Sequence, residues 1–178
     1  MTYLWGLLTS VGHIVFLRGS PERLYYTRRL FIVSLLLALV ASAAAQFLYF
    51  GDPFVFVILR VFAEVTLFML MIVLLTAKIA RFRLARMMLV LVLISLFADL
   101  ILVVLSVGIP QAQVTAPLGR TVSWAVGGVA LYGAGSVLAW GLRRSYFWGL
   151  GVIILYVVAV LALDSAFREL YAVMASGA

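Results

Sequence analysis

The sequence lacks cysteine and has one histidine, one lysine and only 6 acidic residues. Without cysteine the chain can form no disulfide, thiolate nucleophile or cysteine-ligated metal site. His13 has no carboxylate near it in the sequence, so we expect no metal site there. Phosphate-binding glycine loops, serine-nucleophile elbows, zinc-protease motifs and dinucleotide fingerprints are also missing. These absences predict a protein that is not an enzyme and that binds no cofactor.

Apolar residues dominate what is present. The 178 residues are 67% hydrophobic and only 11% charged, which is too apolar for a soluble domain. A bilayer must therefore be the solvent of this chain. The formal charge of +7 would suggest nucleic acid as the partner of a soluble protein. In a membrane protein such charges mark the cytoplasmic side instead, so we expect no nucleic-acid partner.

Five apolar stretches approach or exceed the roughly 17 to 25 residues that a helix needs to cross the hydrocarbon core. Short polar links separate them, which leaves no room for a soluble domain. The sequence therefore predicts an all-α integral membrane protein, a bundle of five transmembrane helices within residues 18–163. The predicted spans are Leu30–Phe50, Phe54–Thr76, Ala85–Gly108, Thr121–Leu142 and Phe147–Leu163.

Basic residues flank these spans on one side of the predicted bilayer. Because such residues are retained in the cytoplasm, they predict a cytoplasmic N-terminus and an external C-terminus. The same face is expected to bind anionic lipids. Arginine in place of lysine is typical of GC-rich bacterial genomes, so the expected location is the bacterial inner membrane. The basic residues are Arg18, Arg23, Arg28, Arg29, Lys78, Arg81, Arg83, Arg86, Arg143 and Arg144.

Both ends of the chain are predicted to lie along the membrane surfaces. Residues 1–17 are apolar with interspersed aromatic residues, and a helix break at Ser20 and Pro21 follows them. We expect an interfacial helix on the cytoplasmic leaflet; a sixth, re-entrant or spanning segment is the alternative. Residues 164–178 carry apolar side chains on one helical face, which predicts an amphipathic C-terminal tail on the outer side.

Three ionisable residues interrupt the apolar spans: Arg60 and Glu64 in the second and Asp99 in the third. A rise of 1.5 Å per residue places all three well inside the hydrocarbon at similar depths. A charge there costs roughly 2.5 to 3.5 kcal/mol, so each should face the bundle and find a partner. Adjacent antiparallel spans favour a pair between Arg60 and Asp99, with Glu64 one turn from Arg60 on the same face. The cluster is a packing staple, a docking contact or a proton relay.

Small residues recur at three- and four-residue steps in the first and fourth spans. Such seams permit close helix approach, within the chain or between two copies of it. In the first span Ala38, Ser42 and Ala45 lie beside Gln46, which could hydrogen-bond across helices. In the fourth span the seam consists of Ser123, Gly127, Ala130, Ala134 and Gly141.

The segment VFLRGSPERLYYTRRLFIVSLLLAL, residues 15–39, resembles the opening of bacterial members of the Yip1-like family of small membrane proteins. In that family an N-terminal apolar segment, a basic loop with a proline and a long first span precede four further spans. The resemblance implies a non-enzymatic accessory or scaffold protein that acts through membrane partners.

Three functions are open on the sequence. The first, which we expect, is an assembly subunit that binds a membrane protein partner or a second copy of the chain. The second is a small proton- or ion-coupled transporter or channel that uses Arg60, Glu64 and Asp99. The third is a membrane-shaping protein that works through its interfacial N-terminal helix and basic cytoplasmic face.

Overall fold

The computed structural model describes residues 13, 26–50, 53–76, 79, 81–108 and 117–176. No strand occurs among them, and each of the five α-helices is long and apolar enough to cross a membrane. This confirms the all-α fold and the number of candidate spans. Apart from His13, the predicted interfacial helix of residues 1–17 lies outside the described residues, as do Arg18, Arg23 and Lys78. The helices are α1 Arg28–Ala45, α2 Phe54–Thr76, α3 Arg81–Gly108, α4 Pro117–Leu142 and α5 Tyr146–Ser176.

Local capping interactions fix where α1 begins and where α4 ends. Thr27 has extended backbone before α1, and its hydroxyl oxygen accepts a hydrogen bond from the Leu30 N–H at 3.1 Å. After α4, Arg143 adopts φ 51°, in the left-handed region. Its N–H and that of Arg144 return to carbonyls of the last helical turn at 3.2 and 3.0 Å. This arrangement is a Schellman motif, and it turns the chain back for α5 within a few residues.

The helices pack around the bundle in the order α1, α3, α4, α5, α2, which differs from their order in the chain. The α4/α5 and α1/α3 pairs pack most extensively, α3 also packs on α4, and α5 packs on α2. Contacts of α2 with α1 and α3 are slight by comparison. The second span therefore packs mainly on the fifth and not, as predicted, on the third.

The middle of α3 is the centre of the apolar core. All eight residues at 87–94 are buried, as expected for a helix stretch that is hydrophobic on every side. Met71 and Leu75, in the second half of α2, belong to the same buried cluster. The remaining helices bury one face and leave large apolar side chains exposed on the other, which suits contact with lipid.

Contacts between helices establish which helix ends lie together. Ala45 packs with Leu102 and Val126, so the C-terminal ends of α1 and α3 lie beside the N-terminal half of α4. At the opposite end the Arg83 guanidinium lies over the Trp140 ring, 5.5 Å from its centroid. Seven of the residues predicted to form the basic face therefore share one end of the bundle. They are Arg28, Arg29, Arg81, Arg83, Arg86, Arg143 and Arg144.

The last helix is longer than predicted. α5 continues without a break from Tyr146 to Ser176, and its 31 residues span about 46 Å. The segment predicted as a separate tail from residue 164 onward thus begins as a direct continuation of the fifth helix. Its position on the outer side of a membrane stays a prediction. The continuity brings Asp164 into contact with α2, as the next section describes.

Candidate intramembrane ionic site

Arg60 is the centre of an ionic network between α2 and α5. Its Nε lies 3.2 Å from Glu64 Oε1, one turn away on the same helix. Its Nη1 lies 3.3 Å from Asp164 Oδ1 on α5. The predicted shared face of Arg60 and Glu64 is confirmed. The predicted pairing with Asp99 is wrong, because α2 packs on α5 and this places a different carboxylate opposite the arginine.

The same network extends toward the C-terminal end of α5. Arg168 Nε lies 3.3 Å from Asp164 Oδ2, so this carboxylate bridges two guanidinium groups. The Arg168 guanidinium also lies over the Phe56 ring, 4.5 Å from its centroid. Phe56 contacts Arg168, and Arg60, four residues later on α2, contacts Asp164, four residues earlier on α5. The two helices therefore run antiparallel.

A short chain of polar side chains links the network to α1. The Ser42 hydroxyl donates to Glu64 Oε2 at 3.3 Å, and Gln46 Nε2 donates to Ser42 Oγ at 3.3 Å. Gln46 thus reaches α2 through Ser42. Only 3% of Gln46 is exposed, and its Oε1 has no hydrogen-bond partner among the described residues. On the other side of Glu64, the Tyr156 hydroxyl of α5 approaches the Glu64 backbone carbonyl at 3.5 Å.

Asp99 lies near this network without joining its ion pairs. Its Oδ2 accepts a hydrogen bond from Ser95 Oγ at 3.4 Å, and no ion pair to it is formed within the described parts of the chain. Ala45 of α1 packs with Leu102 of α3. Ser42 and Asp99 each lie three residues, about one turn, before these contact residues, so they lie at the same level of the bundle. The charges of Glu64 and Arg60 both act on Asp99. Asp99 is half-buried and Ser95 is exposed.

At this end of the bundle α2 makes few contacts with α1 and α3, and the Ser42–Glu64 hydrogen bond joins it to α1. In the other half, Met71 and Leu75 of α2 close against α3. Toward the other end of the bundle, away from Met71 and Leu75, the side chains of Arg60 and Glu64 are 21% and 26% exposed. Charged groups at this depth should face a water-filled cavity or a partner in preference to lipid. We call the region between α2 and the α1/α3 pair at this end the polar cleft; its polar residues are Ser42, Gln46, Glu64, Ser95 and Asp99.

The predicted small-residue seam of α4 is only partly used within the chain. Gly141 packs on Met87 of α3, and Ala134 is buried. Ala130 packs at the edge of the core, and the Ser123 hydroxyl donates to a backbone carbonyl of its own helix. Among the described residues, a Cβ added to Gly127 would meet nothing within 4 Å. The prediction of close approach is therefore wrong at Gly127 for packing within the chain.

A close helix approach joins α4 to α5 at a glycine that the sequence prediction missed. A Cβ at Gly149 would overlap the Gly135 carbonyl oxygen and would lie 2.9 Å from the Ala139 Cβ. Gly135 and Ala139 are four residues apart, so they form a small-residue step of the kind that permits such contacts. The spacing of Gly135 and Ala139, together with Gly149 soon after the turn, is the sequence pattern from which this close approach could have been predicted.

No family model, curated protein or solved structure matches this chain. The resemblance to the Yip1-like family therefore stays a prediction. Function has to be argued from the ionic network, the polar cleft and the exposed helix faces.

Proposed function

We propose that this chain is a non-enzymatic subunit of a membrane protein assembly in the bacterial inner membrane. Its N-terminus lies in the cytoplasm and its C-terminus outside. The orientation is supported by the arginine residues gathered at one end of the bundle, because such residues are retained in the cytoplasm. The polar cleft then lies in the outer half of the bilayer.

The arrangement of the ionic network is the observation that supports the assembly role. Arg60 lies between Glu64 and Asp164, and its contacts tie α2 to α5. Paired ionic groups inside a membrane fix the register and packing of helices. In the inner half, residues 87–94 of α3 are apolar and buried. This apolar stretch supports an assembly role over a transport path, since the buried polar side chains of the inner half that the structure describes, Ser34 and Ser136, carry no charge.

An exposed stripe on α5 is the surface that we propose for partner binding. α5 has the least buried surface of the five candidate spans. Residues three and four apart on its free face are large and apolar, and Gly151 on the same face has open space around it. A small residue beside apolar side chains lets a second membrane helix approach closely. The stripe consists of Ile154, Leu155, Val158 and Leu161, all exposed.

Affinity purification in mild detergent tests this function. We expect a membrane protein to co-purify in fixed stoichiometry, identified by mass spectrometry and by the mass of the particle. Leu155→Trp should abolish co-purification. The matched control Val40→Trp on α1 should retain it, because Leu155 and Val40 are exposed to nearly the same extent, 71% and 68%. A homogeneous particle that contains this chain alone would refute the assembly role.

An ion- or proton-coupled transporter is the second candidate, and the polar cleft favours it. Asp99 has no ion-pair partner among the described residues, and the side chains of Arg60 and Glu64 are partly exposed. Under this function, Glu64→Gln and Asp99→Asn should abolish a cation- or pH-dependent flux in proteoliposomes while the chain still assembles. The membrane-shaping function depends on residues 1–17, most of which lie outside the described chain, and stays a prediction.

A further inference from the structure

The turn that joins α4 to α5 exposes two arginine residues beside aromatic side chains. We propose that this turn binds one anionic phospholipid, of the phosphatidylglycerol class, through Arg143 and Arg144 with Phe147 and Trp148 beside them. The basic end of the bundle as a whole attracts anionic lipids, whereas the turn is a single site with defined contacts. Binding here does not depend on the assembly role, because the lipid needs this chain alone.

Backbone hydrogen bonds fix the positions of both arginine residues. The Arg143 N–H donates to the Trp140 carbonyl at 3.2 Å, and the Arg144 N–H donates to the Ala139 carbonyl at 3.0 Å. Both arginine side chains are exposed. Neither forms an ion pair with any residue that the structure describes. Their guanidinium groups can therefore bind an anion from the surrounding leaflet.

Helix α3 brings a third positive charge to the same place. Met87 of α3 packs on Gly141, and Arg83 lies one turn before Met87 on the same face. The Arg83 guanidinium lies over the Trp140 ring, 5.5 Å from its centroid. The described carboxylates belong to the opposite half of the bundle, so none of them lies beside these arginine residues. They are Glu64, Asp99, Asp164 and Glu169.

Exposed aromatic side chains follow the two arginine residues along the chain. Phe147 is 80% exposed and Trp148 is 65% exposed, and both lie in the first turn of α5. Tryptophan is enriched where lipid headgroups meet acyl chains. A phosphate held by Arg143 and Arg144 therefore leaves its glycerol and acyl chains beside Phe147 and Trp148. This aromatic contact distinguishes a bound lipid from a free anion.

A phosphodiester without a cationic group matches this surface. Guanidinium groups donate paired hydrogen bonds to phosphate oxygens, and two adjacent guanidinium groups favour a headgroup with a net negative charge. The phosphatidylglycerol headgroup has this charge. The phosphatidylethanolamine headgroup carries an ammonium group, which the arginine residues repel. The turn should therefore discriminate between these two lipids when their acyl chains are the same.

The test is native mass spectrometry of the purified full-length chain in a neutral detergent, titrated with phosphatidylglycerol or with phosphatidylethanolamine of the same acyl chains. We expect one phosphatidylglycerol to bind about tenfold or more tightly than phosphatidylethanolamine, which corresponds to roughly 1.4 kcal/mol. The double variant Arg143→Asn, Arg144→Gln should weaken phosphatidylglycerol binding by about tenfold. Asparagine is chosen at position 143 because it tolerates the left-handed backbone found there.

The double variant Arg28→Gln, Arg29→Gln is the matched control. It removes the same charge from exposed side chains at the same end of the bundle, but on α1, which packs on α3. Phosphatidylglycerol affinity should stay within about twofold, well below the tenfold that corresponds to 1.4 kcal/mol.

Three outcomes would overturn the proposal. Equal affinity of the unmodified chain for the two lipids would do so whether or not any variant folds. Equal weakening by the two double variants would mean general attraction to the basic end and no defined site. Displacement of phosphatidylglycerol by an equal concentration of glycerophosphoglycerol, its headgroup without acyl chains, would assign the turn to a free anion. Since only the isolated chain is used, these outcomes are distinct from failure to co-purify a partner.

Discussion

The contact between Arg60 and Asp164 offers the sharpest test of how the helices are arranged. Arg60→Met and Asp164→Leu each remove one charge and keep an apolar side chain of similar reach. The double variant removes both charges. Together with the unmodified chain these variants form a double-mutant cycle, which isolates the energy of interaction between the two side chains.

The expected coupling follows from the distance between the charges. Unit charges 3.3 Å apart attract by about 5 kcal/mol at an effective dielectric constant of about 20. The side chains are 21% and 15% exposed, and withdrawing them from water offsets much of this attraction. Arg60 also keeps Glu64 as a second partner. We therefore expect a coupling of roughly 1–3 kcal/mol.

Unfolding of the purified chain by a denaturing detergent, followed by tryptophan fluorescence, measures the four free energies of unfolding. The same cycle with Asp99→Leu in place of Asp164→Leu is the control, because Arg60 acts on Asp99 without an ion pair. Its coupling should be smaller. Additivity of Arg60→Met and Asp164→Leu, or a larger coupling to Asp99, would refute the placement of α5 beside α2.

Three further predictions concern helix packing, the polar link to α1 and membrane orientation. Gly149→Ala should lower the free energy of unfolding by about 1–3 kcal/mol, because the added methyl group overlaps α4; Gly151→Ala, where the space is open, should be neutral or stabilise by up to about 1 kcal/mol. Detergent unfolding of the two variants checks this, and equal effects would contradict the close approach. Ser42→Ala should lower the free energy of unfolding by roughly 1–3 kcal/mol, because Gln46 Nε2 loses its acceptor and the Glu64 carboxylate loses a donor. An unchanged free energy of unfolding would contradict the polar link between α1 and α2. The chain has no cysteine, so Arg144→Cys and Ala172→Cys can be labelled singly in cells by an impermeant thiol reagent. We expect labelling of the first only after the membrane is opened and of the second in intact cells, and the reverse pattern would contradict the proposed orientation.

Much of the helical layout could be predicted from hydrophobic length alone. The second span was predicted at the bounds that the structure gives, Phe54–Thr76, because polar residues and Pro53 delimit it sharply. The i, i+4 contact of Arg60 with Glu64 follows from helix geometry and was also predicted. Such features depend on residues that are close in sequence, and local pattern determines them.

The partner of Arg60 could not be predicted in the same way. Asp99 was favoured because consecutive spans are usually neighbours, yet the wide apolar surface of α3 draws α1 and α4 around it and leaves α2 to pack on α5. Asp164 was assigned to a surface tail, since the polar residues after Leu163 resemble the end of a span. The i, i+4 spacing of Asp164 and Arg168, like the apolar helical face of residues 164–178, was an indication that the helix continues.

Pairing of the second helix with the fifth also sets an order in time. Asp164 follows Arg60 by 104 residues in the sequence, and at ribosomal rates of about 5–20 residues per second it is made roughly 5–20 s later. During that interval Arg60 has Glu64 on its own helix but not the carboxylate of α5. Helices α1 to α4 are therefore synthesised before this ion pair can form. Synthesis of the last helix is the step that completes it, and a chain interrupted before Asp164 would lack the α5 carboxylate beside Arg60.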